Sequence, residues 1–142
     1  MYKRKKIQNF YDNCTTAGAI GSASYDGNSI IGSTSDDPFT TRTRLVVVSP
    51  KNGNKFIATQ IISGDRSKIP DFNNMHTRGL NEKGFAYTWS AAGPNPDIEP
   101  ISSQAIGIPF NQFGKLLLSE ADSVKNAIEL LESYPRAIHG NF

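Results

Sequence analysis

CTTAGAIGSASYDGNSIIGSTSDD, residues 14–37, is the stretch on which the reading of the whole chain turns. Residues 15–24 are small and β-permissive, Asp26-Gly27 is a hairpin-turn dipeptide, and Ser29-Ile30-Ile31-Gly32 has the apolar pair of a return strand. The spacing predicts strand, tight turn, strand, with Cys14 at the head and Asp36-Asp37 at the tail. Antiparallel pairing brings those two ends together. Pro38 keeps Asp37 out of the helical region, so Asp37 shapes the exit and Asp36 is the carboxylate left to face Cys14.

Outward from this hairpin, Thr40–Ser49 alternates and then becomes continuously apolar, which predicts a strand buried in its second half. Pro50–Asn54 is a turn and Lys55–Ile62 the return strand of a second hairpin. Residues 64–78 are polar and read as loop. Gly79–Gly84 reads as a turn feeding a strand over Phe85–Ser90, and residues 92–100, with three prolines, read as the rim of a pocket. After Pro109 the period changes. Phe110, Phe113, Leu116 and Leu117 recur at helical spacing, then Val124, Ala127, Ile128 and Leu131 do so again, with Ser119 or Asp122 as cap and Pro135 as stop. The order predicts an α+β fold: an antiparallel sheet with two helices on one face.

Composition narrows the function classes. The chain has 142 residues, 37% of them hydrophobic, and a mean hydropathy of −0.41. No apolar run approaches the roughly 18 residues of a membrane span. The basic N-terminus lacks the apolar segment of a secretory signal, which makes the cytoplasm the expected location. Four of the 15 basic residues, but one of the 13 acidic ones, precede Cys14, so the remainder is slightly acidic and offers no nucleic-acid face. Phosphate-loop motifs are missing, and two separated histidines with one cysteine make no zinc site, so neither cofactor nor metal is expected.

The single cysteine excludes an internal disulfide and is either a small buried hydrophobe or a nucleophile. His76, in a polar stretch, and His139, near the end, have no sequence context that makes either its base. Cleavage between Asn13 and Cys14 supplies another base, the α-amine of Cys14 itself, with a pKa of about 7.7–8.0. That arrangement needs a carboxylate to hold the amine, and Asp36 is in position to be it.

These residues resemble the start of the cysteine N-terminal-nucleophile hydrolases. The similar block is Cys14-Thr15-Thr16, Asp26-Gly27, Ile30-Ile31-Gly32 and Asp36, and it resembles that of the acyl-coenzyme A:6-aminopenicillanate acyltransferases and related cysteine dipeptidases. Gly79-Leu80-Asn81-Glu82-Lys83-Gly84-Phe85-Ala86 is similar to a second block, shared with bile-salt and penicillin V amidases. The helix at 122–134 with Tyr134-Pro135-Arg136 is similar to a third. The resemblance implies a four-layer αββα sandwich, of which residues 14–142 are the N-terminal portion, with residues 1–13 a propeptide or basic arm. It also implies an amidase, peptidase or acyltransferase. Cys14 is then nucleophile and α-amine base, Asp36 orients the amine, and Asn141 is a candidate oxyanion contact. Arginine or glutamine, then asparagine, usually precede the family aspartate; Ser33 and Thr34 stand there in this chain, which leaves the substrate class open.

Ser33, Arg42, Arg44 and Trp89 are the candidate substrate contacts. Arg42 and Arg44 share one face of a strand and are either surface charge or the wall of a carboxylate pocket. Trp89 is core or pocket wall. The expected partner is a small amide, peptide or acyl compound rather than nucleic acid or membrane, with homo-oligomerisation open. The abrupt end at Ile138–Phe142 reads as a truncation. The alternative is a non-catalytic fragment or small α+β binding domain with a buried cysteine.

Overall fold

The computed structural model describes residues 14–35, 41–63, 74–90, 107–108 and 110–134. It is an α+β structure of two antiparallel sheets and two helices. The first sheet is the hairpin β1 (Thr15–Ala19) and β2 (Ile30–Thr34), in register from Thr15 opposite Thr34 to Ala19 opposite Ile30. Its connection is wider than the tight turn expected at Asp26-Gly27. A 3₁₀ turn at Gly21–Ala23 closes through the Ser24 N–H and hydroxyl, both donating to Gly21 O. Asp26 then accepts from the backbone and side-chain nitrogens of Asn28, at 3.1 and 2.7 Å. These local bonds satisfy groups that the ladder would otherwise take, so the strands part after Ala19.

The second sheet runs β3 (Arg42–Val48), β4 (Phe56–Ser63), β5 (His76–Asn81), β6 (Ala86–Thr88). β-Branched runs in β3 and β4 form the hairpin that their sequence predicts. β5 is a correction. Its first half was expected as loop and its second as turn, yet it pairs with β4 on one side and β6 on the other. Two flanking ladders outweigh the weak strand propensity of His-Thr-Arg-Gly-Leu-Asn.

The helices α1 (Phe113–Glu120) and α2 (Val124–Ser133) follow. The cap of α2 is Ser123, whose Oγ accepts from Asn126 N at 3.2 Å, rather than Ser119 or Asp122. Ser119 is buried inside α1, and Asp122 accepts from Asn54 Nδ2 at 3.2 Å. Phe113, Leu117 and Leu118 of α1 and Ala127 of α2 are buried, as are Phe56, Ala58 and Tyr87 of the sheet and Trp89 just after β6. That apolar face is the core.

Two asparagines seal the end of α1. Asn81 Nδ2 donates to Leu118 O at 3.1 Å and Ala121 O at 2.7 Å, while its Oδ1 accepts from Lys83 N and Phe85 N. Asn54 donates from its backbone to Ser119 O and from Nδ2 to Ala121 O. The orphan carbonyls of a helix C-terminus thus find donors on β5 and on the β3–β4 turn. Gly53, at φ +103°, passes so close to Ser119 O that a Cβ would stand 2.6 Å from it. Only glycine combines that backbone with that approach.

Adjacent strand residues point to opposite faces. Gly79 packs under Leu118, so Arg78 projects to the other face of the sheet, where the β1–β2 hairpin lies. The layers are helices, four-stranded sheet, then hairpin. Leu45 and Val47, on the hairpin side of the sheet, are 69% and 77% exposed.

Candidate functional site

The hairpin register fixes what surrounds Cys14. One residue beyond the Thr15–Thr34 pair stand Cys14 on one strand and Ser35 on the other. Side chains alternate along a strand, so Cys14 belongs to the face of Thr16, and Ser35 to the face of its cross-strand partner Ser33. That face meets the sheet: the Thr88 hydroxyl donates to Ser33 Oγ at 2.8 Å, and Arg78 Nη1 donates to Ser33 O at 3.0 Å. Arg78 Nη2 also donates to Ser35 Oγ. Arg78 therefore ties the Cys14 end of the hairpin to the middle of the four-stranded sheet. Cys14 itself is half-buried, in contrast to the exposed run Thr15–Gly18 that follows it.

Between hairpin and sheet lies a cleft of about 970 Å³. Thr16, Ser33, Arg78 and Thr88 line its polar side, and Ile30, Ile31, Leu45, Ile57 and Leu80 give it apolar walls. Ser33 is thus a cleft residue. The other three candidate contacts stand elsewhere. Arg42 and Arg44 are exposed at the start of β3, with Arg44 Nε donating to Gln60 Oε1 at 3.0 Å, and neither lines the cleft. Trp89 is buried in the core. Asp36, Asn141 and Asn13 lie outside the described residues, so the expected carboxylate, oxyanion contact and cleavage point have no geometry here.

His76 is not a base for Cys14. It sits edge-on to Phe56, ring centroids 5.6 Å apart, on the helix side of the sheet. Burial, and secondarily the positive charge of Lys115, holds its pKa below the usual histidine range. The β-bulge between Thr59 and Gln60 is what turns it there, since it shifts the pairing so that Gln60 faces His76 while Thr59 faces Arg78. At the far end of the hairpin, the Asn28 side chain and then its backbone N–H hold the Asp26 carboxyl below its ordinary value. Among the described residues no three His, Cys, Asp or Glu side chains cluster as a metal site, and no helix is long and apolar enough to cross a membrane.

Arg78 and Thr88 are the site residues that sequence reasoning missed. The signal was indirect. A turn at 82–84 feeding a strand at 86 requires an antiparallel partner just upstream, and that partner can only be the segment carrying Arg78.

Compared with protein-family models, with curated proteins and with solved structures, the chain matches none.

Proposed function

We propose that this chain is a self-processed amide hydrolase or acyltransferase of the N-terminal-nucleophile type, acting on a small amide, peptide or acyl compound through Cys14. The observation that carries the reading is the hairpin register. It sets Cys14 one residue beyond the Thr15–Thr34 pair at the open end of the hairpin, with Ser35, the residue immediately before Asp36, one residue beyond that pair on the other strand. The order of layers, helices on one side of the sheet and hairpin on the other, is compatible with part of an αββα sandwich.

In this reading, cleavage after Asn13 frees the α-amine of Cys14. The amine takes the thiol proton, and the sulfur attacks the acyl carbonyl to form a thioester. The proton passes to the departing amine. Water, or a second amine, then attacks the thioester, releases the acid or new amide, and returns the thiol. Asp36 holds the ammonium form of the amine in place. Ser33 and Thr88 lie along the path of the bound substrate.

Intact mass of the purified chain, with and without a thiol alkylator, tests this. The expected mass begins at Cys14 and gains one alkyl group, with activity lost on alkylation; Cys14→Ala retains residues 1–13. A stable chain that keeps residues 1–13 and is fully active would overturn the reading. An unprocessed chain with an unreactive thiol would leave a non-catalytic α+β domain.

A further inference from the structure

We infer that the cleft between hairpin and sheet is a binding site for a small amphiphilic carboxylate, with its head on Arg78 and its apolar body against Ile31, Ile57 and Leu80. This goes beyond the hydrolase reading and does not depend on Cys14 chemistry.

The head group follows from Arg78. The guanidinium carries five N–H donors and a fixed positive charge. Two donors are engaged, by Ser33 O and Ser35 Oγ, and both acceptors are neutral. Nε is enclosed and has no hydrogen-bond partner. Among the described residues no carboxylate pairs with Arg78, although it is only partly exposed to water. Among the described residues this partly desolvated cation has no counter-charge; each Nη keeps a second N–H beyond the hairpin bonds, and a planar carboxylate is the partner that such a fork matches. Lys83, which also borders the cleft, adds a second positive charge. The one described carboxylate at the cleft, Asp122, is already an acceptor for Asn54.

The body follows from the walls. Ile31, Ile57 and Leu80 are 47%, 39% and 47% exposed, and they face the same space. A volume of about 970 Å³ falls within the range of small-molecule sites, roughly 300–1,000 Å³. Apolar walls with one convergent cationic anchor select a ligand that is apolar along its length and anionic at one end.

The test is calorimetric titration of the full chain with sodium dodecanoate and, separately, with dodecyltrimethylammonium, both below their micelle concentrations. The two probes share a tail and differ in the sign of the head. The expected result is saturable binding of dodecanoate at one site per chain, with the cation at least about tenfold weaker. Arg78→Gln should remove that preference by weakening dodecanoate alone; Arg78→Lys should keep part of it. Lys51→Gln, which removes a charge from the exposed β3–β4 turn outside the cleft, should keep all of it. Equal affinity for the two heads on the unaltered chain would overturn the proposal without recourse to any variant. So would an Arg78→Gln chain of unchanged circular dichroism that still prefers dodecanoate. A chain that binds neither probe but dimerises, with Ile57→Asp abolishing the dimer in sedimentation, would assign the cleft to a second copy and overturn it as well.

Discussion

The Thr88 hydroxyl donates to the Ser33 hydroxyl at 2.8 Å, across the gap between the four-stranded sheet and the hairpin that begins at Cys14. Together with the Arg78–Ser33 bond, it is a side-chain anchor rather than a ladder contact. The hairpin's own side chains bury little: Ile20 and Ile30 are 73% and 59% exposed. Its position therefore depends on a few polar bonds. Thr88→Val should cost about 1 kcal/mol of hairpin anchoring. Amide hydrogen exchange checks this, with faster exchange expected in β1 and β2 and unchanged protection in β4 and β5.

The Asn81 side chain makes four hydrogen bonds in the interior and joins the β5–β6 turn to the end of α1. Asn81→Ala leaves buried donors and acceptors orphaned and should destabilise the fold by about 3 kcal/mol. Asn81→Asp should be at least as damaging, because a carboxylate would face two carbonyl oxygens that need donors. Urea unfolding followed by Trp89 fluorescence gives both values.

Gly114 lies in the first turn of α1, against β5 and β6. A Cβ there would drive into the His76 carbonyl and stand 2.9 Å from Tyr87 Cε1. The carbonyl belongs to β5, which its ladder to β4 holds in place at His76. Gly114→Ala should therefore cost about 3 kcal/mol despite alanine's better helix propensity. A fall in the urea midpoint at unchanged slope is the expected signature.

Two buried groups give opposite pH windows. His76 has a folded pKa below its unfolded value of 6.5, so its contribution is present above 6.5 and is lost as pH falls below it. Burial raises the Tyr87 hydroxyl above its ordinary value of 10.0, so the unfolded chain ionises first and stability falls as pH rises beyond that point. Thermal melts across pH should show both declines. His76→Phe should flatten the acid arm and Tyr87→Phe the alkaline arm. Tyr87 Oη has no hydrogen-bond partner, so Tyr87→Phe should cost little or even stabilise at neutral pH.

By itself the sequence determined the elements whose patterns are strong. The Val-rich run of β3, its return strand β4 and the two helical periods ending in Val124–Ser133 are local signals, set by side-chain spacing and turn chemistry. It likewise determined that Cys14 and the approach to Asp36 share one hairpin end, since strand pairing with a period of two leaves few registers. Tertiary structure alone decided the rest. β5 exists because two neighbours pair with it, and no local propensity announces that. The bulge at Thr59/Gln60 sends His76 to the core and Arg78 to the cleft, two residues apart in sequence and on opposite faces of the sheet. Which charges meet the hairpin, and which ring is dried out in the core, are consequences of packing between segments distant in the chain.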